Sequence, residues 1–544
     1  MRLAAIFSEH MILQRERETA VFGETEADAR IRVEIDGISV EEAVSAGRFV
    51  VMLPAHPAGG PYTMKVFSAA PTGGDWMPVK EIGDVYYGEV WIDNGQSNIE
   101  FEIRNARGGA EELKKADFPL IRTFKSIKTP VIDDEVLKNE QYQEWKLCRE
   151  GAFFEMSGVA WYFAKVLHKK LDCPIGIVDC YQGGSSISCW LSEERLSKYP
   201  EGRIYQEVFN KAIEGQTEEE FNRKLLEYNQ LVAEYLERER IAKSRNPEIT
   251  PEELSNEAGD YPWPPPQGLQ SAFRPSGLYH TMLERIAPFT SKGIIYYQGE
   301  EDSGRASGYA VLLKELVDEF RTDFRDPALP IVILQLPMFI GRKTEDQRDW
   351  GYLREAQAKA VAETRGTLMI PLIDCGEFDN VHPVDKKTPG EHTAGEVLYS
   401  LYGDPDGLGG GDKGLGCHME LSRAEDKDQA LVLHFNNTFG TVKTGENELL
   451  DRRQELDPEV TEEKRAMTDP HTVRLDPQHI YGFEVRLSGR DDWVVPTARI
   501  EGDTVILSAE GTIEEVRYGF FNYGKVNLYN GYDYPLAPFC WKRK

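Results

Sequence analysis

The chain has 544 residues, 40% of them hydrophobic, with 24 Phe, 24 Tyr and 9 Trp. That is ample for packed cores, argues against disorder as a description of the whole, and points to about two to four domains. Its 63 basic and 92 acidic side chains leave a net charge of −29, a field that repels phosphate backbones and anionic lipid surfaces, so neither nucleic acid nor membrane is expected as a partner.

Seven scattered cysteines without a CxxC spacing read as free thiols of a reducing compartment. The opening MRLAAIFSEHMILQRERE does not have the form of a signal peptide. No apolar run approaches the roughly 18 residues of a membrane span. A soluble, cytoplasmic protein is expected.

Residues 1–85 carry short alternating segments broken by turn signals. In ARIRVEIDGISVEEAV, Ile31, Val33 and Ile35 share one face and Asp36-Gly37 turns the chain back. This predicts an N-terminal β domain. From 86 to 402 the pattern changes to apolar strands that run into polar loops, IGIVDCYQGG, GIIYYQGEED, PIVILQLP and GTLMIPLIDCGE. Helical patterns lie between them, SGVAWYFAKVLHKKL, YAVLLKELVDEFRTDF and YLREAQAKAVAET. Strand, loop and helix in alternation predict an α/β domain with a parallel sheet covered on both faces.

A charged helix with an apolar stripe at Phe221, Leu225, Leu226, Tyr228, Val232 and Leu236 interrupts this domain at about 217–246. It packs on the domain surface or on a second subunit, so a homo-oligomer is possible. YPWPPPQG after it must be extended, and prolines with aromatics this close often line a groove. The Gly-rich stretch 403–416 reads as a linker, because its carboxylates fit no calcium loop. Short alternating strands return over 417–544 as a second β domain.

Four strand-end loops carry the groups that ester hydrolysis by a serine requires: a hydroxyl, an imidazole, a carboxylate to orient it and donors for the oxyanion. The first is GEVWIDNGQSNIEF, an apolar strand that drops into a polar turn with Ser97 at its tip. The second is Gly183-Gly184 in DCYQGGSSISCWLS, where paired glycines let backbone N–H groups approach a substrate oxygen. The third is Gln298 in YYQGEED, a side-chain amide after an apolar strand, with Glu300 beside it. The fourth is Asp379-Asn380-Val381-His382-Pro383, in which one short turn delivers both an acid and an imidazole.

These blocks occur in the order seen in the sialate O-acetylesterase family of SGNH hydrolases, and the chain resembles that family along nearly its whole length. FSEHMILQRE, PSGLYHTML, LREAQ and VRYGFFNYGKVNLYN carry the likeness outward. The resemblance implies a flavodoxin-like, three-layer α/β/α core flanked by the two β domains. It implies Ser97 as nucleophile, His382 as general base and then acid, and Asp379 as the orienting carboxylate, with Asp374 or Glu377 as alternatives. The oxyanion hole would be the N–H groups of Ser97 and Gly184, with Gly183 as fallback, and the Gln298 amide. Asn98 and Glu300 are expected to bind substrate.

The expected reaction is removal of O-acetyl groups from a carbohydrate through an acyl-enzyme, without metal or organic cofactor. The net negative charge makes neutral acetylated fragments, of xylan or mannan for example, at least as suitable as O-acetyl sialate. Two other readings remain: a carbohydrate-binding scaffold with an inert core, and a lipid or thioester hydrolase with the same triad.

Overall fold

A computed structural model describes residues 1–246, 249, 251–341, 346–378, 380–403, 417–427, 429–445, 448–450 and 472–543. Asp379 and all of the expected linker except Gly403 lie outside the described residues.

The fold is built on a mixed sheet. Its strands are β1 (Met77–Gly95), β2 (Asp117–Lys125), β3 (Lys146–Arg149), β4 (Ile175–Tyr181), β5 (Gly293–Tyr297), β6 (Ile331–Leu334) and β7 (Thr367–Ile370). They lie in the order β3-β2-β4-β1-β5-β6-β7. All neighbours are parallel except β3, which runs antiparallel at the edge. Every residue of β4, β5 and β6 is buried, as expected where both faces of a parallel sheet are covered and the strands read as unbroken apolar runs.

Covering helices include α1 (Ser97–Glu100), α2 (Gly158–Leu171), α4 (Ala306–Asp323), α5 (Asp349–Glu363) and α6 (Lys387–Tyr402), whereas α3 (Glu218–Arg245) packs against the helix Pro251–Ala258. Helix α2 packs against α6 and on β4, and α4 against α5. Trp91 of β1, fully buried, meets Phe163 of α2 edge-on at 5.2 Å. Burying an aromatic of this size contributes about 1.5–3 kcal/mol relative to leaving it in water.

The chain leaves β1 towards β2 and β4 on one side, then returns to β5, β6 and β7 on the other. The order therefore reverses at β1. In open α/β sheets the crevice beyond the strand C-termini at such a reversal is where ligands sit.

Two findings differ from the expected domain layout. Strand β1 has 19 residues and runs through the boundary expected at 85/86. Its first half pairs with Gly59–Ala69, which pairs in turn with Ala29–Ile35, and its second half is the centre of the parallel sheet. One hydrophobic core accordingly joins Ile31 and Val66 to Trp91 and Ile177.

The C-terminal strands, by contrast, keep a core of their own, including Leu433, Val485, Val505 and Val516. Met338, Ile340, Ile373 and Phe378 reach into it from the loops after β6 and β7. Arg354 of α5, fully buried, donates to the carbonyls of Gly519 and Phe521. Asn522 donates to Asp349 Oδ1 at 2.5 Å and accepts from the Trp350 N–H at 3.1 Å. The stretch VRYGFFNYG thus grips the start of α5.

No helix among the described residues is long and apolar enough to cross a membrane. All seven cysteines are free.

Candidate active site

Strands β4, β1 and β5 end level with one another, Gly95 facing Tyr181 on one side and Tyr297 on the other. The loops that follow them therefore start from one rung. Gly95 has φ +134°, and a Cβ there would stand 2.1 Å from the Tyr297 carbonyl oxygen, so only glycine makes this turn. Ser97 opens the short helix α1, where a backbone N–H has no partner four residues back.

His382 approaches from the loop before α6, and its Nε2 lies 2.7 Å from Ser97 Oγ. Residues separated by 285 positions are thus within hydrogen-bond reach, the contact a serine needs to lose its proton. The histidine loop is braced from three directions. The His382 N–H donates to Asn380 Oδ1 at 3.0 Å, Asn98 Nδ2 donates to the Val381 carbonyl at 2.9 Å, and the Val384 N–H donates to Glu377 Oε1 at 2.8 Å. Burial, and then the positive charge of Lys386, push the His382 imidazole down to about 4.

The two alternatives to Asp379 are turned elsewhere. Glu377 gives its second oxygen to Asn380 Nδ2 at 3.0 Å. Asp374 accepts from Cys375.

Of the paired glycines, Gly183 donates its N–H to Glu100. Gly184 has φ +71°, and a Cβ there would fall 2.0 Å from the Trp263 ring. It too must be glycine, for its own backbone and for the indole lying over it.

Gln298 does not reach the cavity as an oxyanion donor. It is fully buried, and its Nε2 donates to Asp302 Oδ2, Gln96 Oε1 and the Ser185 carbonyl at 2.6, 3.0 and 3.1 Å. Two amide protons facing three protein acceptors leave none for a ligand. Its Oε1 is claimed by the hydroxyls of Tyr309 and Tyr296. What it holds is Gln96, whose Oε1 also accepts from the N–H groups of Gly299 and Glu301 at 3.3 Å each. With that oxygen fixed, the Gln96 Nε2 is the free end, and Gln96 lines the cavity beside Ser97. The sequence reading passed over this residue although it stands inside GQSN.

Asn98 is likewise not a substrate ligand. It is fully buried, with Nδ2 donating to Glu300 Oε1 at 2.6 Å and Oδ1 accepting from Lys386 Nζ at 2.7 Å. Burial drives Glu300 up to about 7 and Lys386 down to about 7. Glu300 alone of this trio lines the cavity, and its Oε2 is buried without a hydrogen-bond partner. Lys386, four residues after His382, was also missed; its only signal was its place in DNVHPVDK.

The cavity has a volume of about 960 Å³. Ser97, His382 and Gly184 lie at its chemical end, and Trp263, Tyr261, Tyr228 and Pro265 form one wall. Helix α3 supports that wall. Thr217 and Glu220 cap it reciprocally, its buried Phe221 packs under Gly268, and Tyr228 donates to the Pro262 carbonyl at 3.1 Å. Of its expected stripe, Leu226 and Leu236 face solvent. Tyr261, Trp263 and Pro265 of YPWPPPQG do line a groove. Glu100, Glu300, Glu301 and Asp349 also line the cavity, and no Lys or Arg does among the described residues.

One group away from the cavity brings a carboxylate, a thiol and an imidazole within 4.8 Å of one another, Asp374, Cys375 and His392. His418 is paired with Glu396 at 3.1 Å.

A family model described as carbohydrate esterase, sialic acid-specific acetylesterase, matches residues 267–402, the segment with Gln298, Glu300, His382 and Lys386. The sialate O-acetylesterase of Mus musculus is 24% identical over 76% of this chain and 74% of its own. That of Homo sapiens is 22% identical over 76% and 72%. A carbohydrate acetylesterase from Xanthomonas citri shares the fold along all of both chains, with TM-score 0.68 and 23% identity. The class these comparisons support is a carboxylic ester hydrolase. Within that class they bear out the likeness to the sialate O-acetylesterase family read from the sequence.

Proposed function

We propose that the protein is an SGNH-type serine esterase that removes O-acetyl groups from carbohydrates. The contact between Ser97 Oγ and His382 Nε2 at 2.7 Å, at the strand-order reversal and opening onto a cavity, carries this reading.

In the reaction, Ser97 Oγ attacks the acetyl carbonyl carbon while its proton passes to His382 Nε2. The carbonyl oxygen takes up the negative charge, stabilised by the N–H groups of Ser97 and Gly184 and by the Gln96 amide. Collapse expels the sugar oxygen, which receives the proton from His382. Water, deprotonated by His382, then attacks the acetyl-enzyme and releases acetate with Ser97 restored. Asp379 is the proposed orienting carboxylate for the imidazole. Gln298 acts one step back, by fixing Gln96.

The lining favours a neutral sugar over sialate. Four carboxyl side chains stand among the described lining residues, and like charges brought together with a sialate carboxylate are unfavourable. Neutral acetylated fragments such as those of xylan or mannan meet indole and phenol faces instead, which offer apolar area at low entropic cost. The test is acetate release from acetylated xylo-oligosaccharides, acetylated manno-oligosaccharides and O-acetyl sialate, for the wild type and Ser97→Ala. Release from the neutral substrates that disappears in the variant is expected. A strong preference for O-acetyl sialate would overturn the substrate assignment.

A further inference from the structure

A second cavity of about 890 Å³ adjoins the catalytic one. The two share Ser303, Gln347 and Asp349 as lining residues, so these three form the saddle between them. Each is of the size that holds a drug-sized ligand. The second lies between α5 and the C-terminal strands, and its most prominent group is Tyr352, 53% exposed. The Tyr352 ring is not loose. It stands edge-on to Phe520 at 5.0 Å and 88°, on a helix whose first turn is clamped by Asn522. An exposed, rigidly seated ring beside Gln347, Asp349 and Glu355 offers a flat apolar face ringed by hydrogen-bonding groups.

We infer that this second cavity is a distal subsite for a neutral oligosaccharide whose acetylated residue occupies the catalytic cavity, with Tyr352 as the stacking platform for a sugar ring. The assignment rests on the carbohydrate esterase reading. It makes the enzyme a reader of chain length: a short ester fills the first cavity alone, and a longer chain crosses the saddle and reaches Tyr352. Asp349 lines both cavities at the crossing, with Oδ1 committed to Asn522. A sugar hydroxyl there meets an acceptor that the fold already holds in place.

The test compares Tyr352→Ala, Tyr352→Phe and the wild type on nitrophenyl acetate, on an acetylated xylobiose and on an acetylated xylohexaose. Loss of the ring is expected to raise KM for the hexaose about five- to tenfold, the range of a single aromatic contact. The other two substrates and kcat should stay where they are, and Tyr352→Phe should restore the hexaose KM. An unchanged hexaose KM, or an equal rise for all three substrates, would overturn the subsite. Calorimetric titration of unacetylated xylohexaose and mannohexaose separates the two readings. If the wild type cleaves nitrophenyl acetate but no sugar ester, the carbohydrate reading fails. Hexaose binding that Tyr352→Ala weakens would still uphold the subsite, and no binding of either hexaose would end it.

Discussion

Two loops leave neighbouring strands at the same level, GQSN after β1 and QGEED after β5; both are polar, and each pairs a glycine with a glutamine. The first turns its chemistry outward: Ser97 meets His382, and Gln96 lines the cavity. The second turns its amide inward, where Gln298 links Gln96, Ser185 and Asp302 and accepts from two tyrosine hydroxyls. Like composition at adjacent strand ends therefore serves two purposes. One loop reacts and the other holds it still. The distinction lies in which hydrogen bonds are already satisfied, since a fully bonded buried amide has nothing left to offer a substrate.

The largest expected effect breaks the outward loop. Ser97→Ala, and equally His382→Ala, should lower acetate release by about four to six powers of ten, with thermal unfolding unchanged. Gln96→Ala comes next. As a lost oxyanion donor it should lower kcat about 10²–10³-fold with KM little altered, read from steady-state kinetics on nitrophenyl acetate. Gln298→Ala should contrast with it in kind. Stripping partners from Asp302, Tyr309 and Gln96 should cost about 2–4 kcal/mol of stability, visible in denaturant unfolding, and any loss of activity should follow from a loosened Gln96. If Gln298→Ala proved as stable as wild type, the inward loop would not be the brace described here.

The smallest effect is one of pH. With the His382 imidazole pushed down to about 4 by burial and then by Lys386, it is neutral and able to accept the Ser97 proton at any higher pH. Activity should therefore hold as pH falls below the ordinary imidazole range, failing closer to 4 the less the proposed Asp379 carboxylate supports the imidazolium. Lys386→Met removes the cation that disfavours protonation, so the acid limb should move to higher pH. A limb that stayed in place would show that burial alone sets it.

Much of this was legible in the chain. Parallel strands buried on both faces write themselves as continuous apolar runs, and a polar loop after each is a local signal. Ser97 and His382 could be picked out for that reason, as could the aromatic and proline wall around Trp263. Gln96 and Gln298 could not be told apart, because the direction of an amide is decided by Tyr309, Asp302 and Ser185, which arrive from elsewhere in the chain. Asn98 was expected to bind substrate, whereas Lys386 and Glu300 occupy its amide. The boundary expected at 85/86 falls inside β1, which continues without a break while its neighbours change from antiparallel to parallel.

The most direct measurement is intact and peptide mass spectrometry after treatment with a fluorophosphonate, an irreversible probe of activated serines. The account requires a single adduct, on the peptide that carries Ser97, formed rapidly by the wild type and lost in His382→Ala. An adduct on another serine, or undiminished acetate release by protein labelled stoichiometrically at Ser97, would contradict it.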